Sequence, residues 1–362
     1  TGNPQITFFK VVYRRHTNFS MECIEQTFNG SISASASNVT ATISRNGDLI
    51  SSMHLDVLFS GAQGGATGGT YANWTNNTGH AFVDFVELEI GGQRIDKHYG
   101  HWLDVWNELT DHDGNEKPLI NKHSAKNAYL RSATATGALQ VYVPLKFWFN
   151  RNPGLALPLI ALQYHEVKVK LQTRATTSLI NHNDADNDVT HTTSPSVTLW
   201  VDYIYLDTDE RRRFAQQSHE YLIEQLQYQS ETASASVKLN LNHPVKELVW
   251  TVQNSTAAGA DLKGDATANV GGTAATDGND WFNYHSMAST TSETVNGQVS
   301  NEAFSTFKLQ LNGHDRFAAR NASYFRTVQP LQAGHNVPEK HVYNYSFALK
   351  PEEHQPSGTC NF

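Results

Sequence analysis

The chain repeats itself, and that constrains its fold more than any single motif does. Ile24-Glu25-Gln26 recurs as Ile223-Glu224-Gln225, and the same offset of 199 carries Ala34-Ser35-Ala36-Ser37 onto Ala233-Ser234-Ala235-Ser236 and Asp48-Leu49 onto Glu247-Leu248. At an offset of 221, Val86-Glu87-Leu88-Glu89-Ile90 falls on Phe307-Lys308-Leu309-Gln310-Leu311 and Gly92 on Gly313; at 201, Val141-Tyr142 falls on Val342-Tyr343. The order of matches is kept while the spacing changes, as in two copies of one domain whose loops have lengthened and whose strands have not. A chain of 362 residues also exceeds what one hydrophobic core usually organises. Two similar domains in tandem make a building element more often than an active site.

Each copy reads as β. Val86/Leu88/Ile90 alternate with Glu87/Glu89, Val167/Val169/Leu171 with Glu166/Lys168/Lys170, Val237/Leu239/Leu241 with Lys238/Asn240/Asn242, and Phe307/Leu309/Leu311 with Lys308/Gln310. That period of two marks strands with one buried face. Turn signals at Asn46-Gly47-Asp48, Gly91-Gly92 and Asn152-Pro153-Gly154 separate them, supplying the positive or fixed φ that tight reversals need. The expected class is all-β, an antiparallel sandwich in each copy, with short helices in the connections. The spacing of Ile95, Tyr99, Trp102, Trp106 and Leu109 predicts one such helix. Another is expected from Thr208, where Asp209 and Glu210 precede Arg211 to Arg213 in the order that suits the helix dipole; it would bridge the two domains.

Residues 60–80, 176–195 and above all 254–303 are rich in small and polar residues and are expected to be long loops gathered at one exposed pole of the sandwiches.

The net charge is −8 and the only basic run is Arg211-Arg212-Arg213, too short for a phosphate-tracking stripe, so direct nucleic-acid binding is disfavoured. No apolar stretch is long enough to span a bilayer, and no signal-peptide pattern opens the chain. Cys23 and Cys360 form neither a disulfide framework nor a metal-ligand spacing and are expected as reduced thiols. Sequons at Asn18, Asn29, Asn38, Asn73, Asn76, Asn254, Asn321 and Asn344 follow from a composition rich in Asn, Ser and Thr.

Candidate chemistry is sparse. Asp184, Asp186 and Asp188 alternate as in a calcium loop, but Val189 and Pro195 stand where Gly and Glu are required. His98, His101 and Glu108 have no further ligand at a recognisable interval, so neither a metal nor a cofactor is expected. Gly64-Gly65-Ala66-Thr67-Gly68-Gly69 lacks the Lys-Ser/Thr of a phosphate loop. No nucleophile elbow occurs, Glu352-Glu353 lie in a Pro-bounded polar segment, and the 17 histidines are scattered. The expectation is that the chain is not an enzyme. Trp102, Trp106 and Trp148 fit packing roles, whereas Trp74 and Trp281 lie in loops and are the candidates for glycan contact if the chain is instead a carbohydrate-binding β-sandwich module.

Several long words in order carry a resemblance over nearly the whole chain. They are residues 1–10 (TGNPQITFFK) with Tyr13-Arg14-Arg15, residues 44–50 (SRNGDLI), residues 89–98 (EIGGQRIDKH), residues 152–159 (NPGLALPL), residues 221–226 (YLIEQL) and residues 355–362 (QPSGTCNF). The chain resembles the major capsid proteins of large icosahedral nucleocytoplasmic double-stranded DNA viruses, the algal-virus type in particular. The resemblance implies a tandem double jelly roll of two eight-stranded sandwiches, a homotrimeric capsomer of pseudo-hexagonal outline, contacts with neighbouring capsomers and minor capsid proteins, and a place in the outer shell of a virion assembled in the host cytoplasm. The boundaries it suggests are 1–208 for a first jelly roll with its N-terminal segment, 209–218 for a linker with a short helix, and 219–362 for a second jelly roll. That second copy is expected to be incomplete, because the first continues from Tyr142 through strands near Val167 and Val197 to Leu206 whereas Phe362 follows soon after Tyr343. Such a piece is expected to aggregate through unpaired strand edges; a soluble, cooperatively melting species would contradict this.

Overall fold

The computed structural model describes residues 16–61, 72–122, 138–182, 193–253, 281–282, 284, 302–355 and 357–362. The opening words up to Arg15, the Gly64–Gly69 run, the Asp184–Asp188 run and most of 254–303 lie outside the described residues.

The first half builds two five-stranded sheets. Its strands are β1 (Phe19–Gln26), β2 (Phe28–Asn29), β3 (Asn38–Thr42), β4 (Leu49–Phe59), β5 (Ala72–Trp74), β6 (Val83–Ile90), β7 (Gln93–Tyr99), β8 (Leu139–Pro144), β9 (Leu157–Pro158), β10 (Val167–Thr173), β11 (Ile180–His182) and β12 (Ser196–Leu206). One sheet runs β1-β12-β4-β8, with β9 also on β4, and the other runs β2-β3-β10-β6-β7. First and last strands are neighbours, so the sheet closes only when the whole half has been made.

Alternation decides which side chains enter the core. On β10, Val167, Val169 and Leu171 are buried and pack with Val39, Val86, Leu88, Leu55, Val57, Val141 and Val201 from both sheets. Each fully buried aliphatic side chain contributes about 1.5–3 kcal/mol. The outward residues of the same strands pair by charge: Lys170 with Glu89, and Lys97 with Glu87 at 3.2 Å.

The second half is also β, in shorter pieces: β13 (Pro244–Val245), β14 (Glu247–Trp250), β15 (Thr306–Phe307), β16 (Gln310–Leu311), β17 (His314–Asp315), β18 (Arg320–Asn321), β19 (Tyr343–Ser346) and β20 (Cys360–Asn361). Among the described residues they pair two by two, β13-β20, β14-β19, β15-β18 and β16-β17. Ile90 pairs with Gln93 across Gly91-Gly92 at φ 60° and 83°, and 221 residues on Leu311 pairs with His314 across Asn312-Gly313 at φ 52° and 78°. Both are turns with two positive φ values, which match the twist of a hairpin. Likewise β4 pairs with β8 at Val141-Tyr142, and β14 pairs with β19 at Tyr343. Helical turns also recur, α2 (Gly100–Thr110) after β7 and a π turn at Tyr324–Val328 running into α4 (Gln329–Ala333) after β18. The core of the second half is aromatic, with Trp250 stacked on Phe307 at 4.4 Å and Phe325 and Tyr343 buried beside them.

Several expectations shift. The helix begins at Gly100, so Ile95 and Tyr99 of the expected stripe lie on β7, where Tyr99 pairs with Phe85; a spacing of four fits a strand end as well as a helix. Val237–Leu241, expected as a half-buried strand, joins no ladder, and Val237 and Leu239 are exposed. There the Gln229 amide donates to Lys238 O at 2.7 Å and accepts from Asn240 N at 2.7 Å, and Gln227 treats Asn242 similarly, occupying the backbone groups that a neighbouring strand would use. Phe307–Leu311 is split between two partners. The 60–80 segment is not all loop, since it contains β5 and the buried helix α1 (Thr78–Phe82), and 176–195 contains β11, paired with β5. The helix expected from Thr208 is α3 (Thr208–Gln216), with the Asp207 carboxylate accepting from Thr208 N at its start.

Gly100 is fixed by space, because a Cβ there would drive into the carbonyl oxygens of His80 and Val83. Gly100→Ala is therefore expected to destabilise the fold by about 3 kcal/mol, against about 1 kcal/mol of local strain for Gly92→Ala, which has open space around it; the midpoints of urea denaturation measure both.

Candidate functional site: the seam between the two halves

α2 leaves β7 with Leu103, Trp106 and Leu109 in the interior, yet Asp104, Asn107 and Glu108 on the same short helix are buried as well. A carboxylate out of water is costly unless opposite charge and hydrogen bonds meet it. The second half supplies much of what is needed. Lys340 Nζ donates to Asp104 Oδ1 at 2.7 Å and Tyr284 OH to Asp104 Oδ2 at 3.2 Å, while Asn77 Nδ2 from the first half donates at 2.6 Å. Burial pushes the Asp104 carboxyl upward, but Lys340 and Lys122 outweigh it and hold it below the ordinary range. Glu339 N donates to Glu108 Oε2 at 3.3 Å, and Asn336 N to Leu109 O at 2.8 Å, satisfying a carbonyl in the last turn of the helix.

A second lock lies beside the first. The His335 side chain is buried, with Nδ1 at 2.6 Å from Glu352 Oε1 and Nε2 at 2.9 Å from Glu247 Oε2. Burial alone would lower its pKa, but the two carboxylates prevail and raise it to about 9, so the ring is a cation at neutral pH. Its edge faces Trp106 of α2 at 6.2 Å between centroids. Glu352 also takes His112 Nε2 from the first half at 3.0 Å. Arg151 also lies over Trp106, 4.4 Å from the ring centroid, and pairs with Glu224 at 2.9 Å, and Glu224 pairs with Lys246 at 2.6 Å. The extended chain after α3 is tied down too: Gln225 Nε2 donates to Ile95 O at 2.5 Å and Leu226 N to Asp96 Oδ1 at 3.1 Å. At the near end of α3, Arg211 Nε meets Asp48 at 2.9 Å.

The groups singled out in the sequence fall elsewhere. His98 sits on β7, stacked on Phe147 at 4.7 Å, with Nε2 2.9 Å from Asp96 Oδ2, whereas His101 sits on α2 against Phe282. Among the described residues no three His, Cys, Asp or Glu side chains converge as a metal site. Trp74 and Trp281 come to the same corner. Trp74 packs on Phe59 at 5.0 Å and its backbone pairs with Ile180; Trp281 donates its indole N–H to Ser178 O at 2.8 Å under the Arg174 guanidinium at 4.3 Å. Both rings are thus engaged in packing the loop ends. Cys23 and Cys360 are free thiols, and no helix among the described residues is long and apolar enough to cross a membrane.

Sequence reasoning overlooked the seam. Glu352 read as a residue of a polar segment and His335 as one scattered histidine. The available signal was Asp104 and Glu108, one turn apart within an apolar helix, which demand cations from elsewhere.

A family model described as the major capsid protein N-terminus matches residues 7–207, and one described as the large eukaryotic DNA virus major capsid protein matches residues 210–362. The chain belongs to the major capsid proteins of large eukaryotic DNA viruses. It is a structural capsid protein and not an enzyme. It is 47% identical to the major capsid protein of Pyramimonas orientalis virus, over 100% of this chain and 85% of the relative, and 44% identical to that of Paramecium bursaria Chlorella virus 1, over 100% and 81%. Among solved structures, the PBCV-1 VP54 crystal structure superposes with a TM-score of 0.77 at 40% identity, covering 98% of this chain and 84% of that one. The Faustovirus major capsid protein matches with 0.73 at 14% identity, covering 99% and 87%, which speaks for the fold alone.

In this capsid protein the seam makes two predictions. Lys340→Met, which removes the cross-seam cation from buried Asp104, is expected to cost about 3 kcal/mol in urea denaturation. The second concerns pH. His335 is raised from 6.5 to about 9, so its contribution is complete below pH 6.5 and is lost as pH climbs through about 9. His80 and His101 are lowered by burial to about 3 and about 4, so their penalty is absent above pH 6.5 and grows as pH falls towards those values. Melting temperature should therefore peak near pH 6.5, and His335→Gln should flatten the alkaline limb while leaving the acid limb in place.

Proposed function

We propose that the chain is the shell-forming unit of an icosahedral virion as a double jelly roll of two eight-stranded sandwiches, in which 1–208 forms the first, 209–218 the linker with α3, and 219–362 belongs to the second. Three copies associate as a pseudo-hexagonal capsomer, which packs against neighbouring capsomers and minor capsid proteins in the outer shell after assembly in the host cytoplasm. The observation that carries this reading is the repeated strand–turn–strand–helix layout, 221 residues apart, locked by buried charge into one body. Two similar units held in fixed orientation, taken three times, offer six similar edges, which lets one kind of subunit tile a near-hexagonal lattice. The work is done by shape and by lateral contact, with no cofactor.

The test is light scattering on the full-length gene product. The expected mass is three times that of the chain, persisting on dilution to micromolar concentration; a stable monomer at that concentration would overturn the trimer.

A further inference from the structure

Under the seam, α2 and the turn after it enclose side chains whose chemistry goes beyond charge balance. Lys122 and Asn107 are 7% and 1% exposed, and Lys122 Nζ donates to Asn107 Oδ1 at 2.5 Å. Glu108 Oε1 is 2.9 Å from the same nitrogen. On the far side of the carboxamide, Asn107 Nδ2 donates to Glu116 Oε2 at 2.9 Å and lies 3.5 Å from Asp111 Oδ2. At Lys340–Asp104 and Lys146–Glu116 the amine faces a carboxylate, which is no electrophile. At Lys122 it faces a carboxamide. A nitrogen at hydrogen-bond distance from a carbonyl oxygen lies roughly 3–3.5 Å from the carbonyl carbon, since the C=O bond is ~1.23 Å; that is the distance from which attack starts once the carbonyl face is turned towards the nitrogen.

We propose that Lys122 and Asn107 join in an intramolecular isopeptide bond, formed by the chain itself. Glu108 accepts a proton from the Lys122 ammonium, and the freed Nζ lone pair attacks Asn107 Cγ once the soft terminal torsion turns the carbonyl face towards it. The new C–N bond gives a tetrahedral centre. The Cγ–Nδ2 bond then breaks, Nδ2 takes the proton held by Glu108 and the proton shed by Nζ, and it leaves as ammonium. Lysine ammonium and carboxamide become secondary amide and ammonium, Glu108 ends as the carboxylate it was, and neither oxidant nor water is consumed. Burial pulls Lys122 towards neutrality, but Glu108 and Asp104 outweigh it and raise its pKa, so attack waits on the proton transfer and quickens as pH rises. The bond would staple the segment after α2 to the helix that carries the seam.

Mass spectrometry of the folded chain tests this. A Glu-specific protease cuts after Glu116 and so separates Asn107 from Lys122 unless they are bridged. The expected result is an intact mass lighter by one ammonia and a branched peptide containing both residues, with Lys122→Arg restoring the sequence mass and the linear peptides. Glu108→Gln, confirmed folded by near-ultraviolet circular dichroism, is expected to slow formation at least tenfold. Linear peptides of unmodified mass from wild-type protein, folded by the same spectrum and incubated at mildly alkaline pH, would overturn the proposal. So would loss of ammonia with linear peptides only, the mark of a cyclic imide at an asparagine.

Discussion

Asp104 has no access to solvent, and the cation that meets it most closely, Lys340, arrives from the other end of the chain. A buried charge of this kind adds little net stability compared with an apolar pair, but it penalises every arrangement in which its partner is displaced. Sliding one half over the other would uncover Asp104, break the Asn336–Leu109 bond and pull Glu352 from His112 at once. The relative orientation of the halves is thereby specified by many groups that must be satisfied together. For a shell subunit that is the property that matters, because an angular error in one tile is passed to its neighbours.

The two halves reach a common layout with different interiors. In the first, aliphatic residues from two five-stranded sheets interdigitate, and the outward faces carry cross-strand ion pairs. In the second, short strand pairs surround a cluster of Trp250, Phe307, Phe325 and Tyr343. Large rings fill space with few side chains, so short strands suffice to enclose them. Trp74 and Trp281 stitch loop ends together at one corner.

Legibility in the sequence followed the range of the interaction. The β6–β7 hairpin and its copy were readable because alternation and two positive-φ turn residues are local properties. The start of α3 was readable for the same reason, with Asp209 and Glu210 in its first turn. The start of α2 was misplaced by five residues, since Ile95 and Tyr99 satisfy a helical spacing while pairing in a strand. Val237–Leu241 was read as a half-buried strand and is not one: Val237 and Leu239 are exposed, and alternation does not say what bonds to a backbone, which here is glutamine side chains. The seam was the least visible part: His335, Glu247 and Glu352 are distant in sequence, and each has an unremarkable neighbourhood when read locally.

The amino-acid sequence by itself determined the β class and the family, because these rest on periodicity and on long words in fixed order. Only the tertiary structure decided which charges are buried, that Lys340 and Glu352 reach Asp104 and His112 in the other half, and that Lys122 faces an amide. Those facts depend on approaches of a few ångströms between residues far apart along the chain, and no local pattern of residues encodes such a distance.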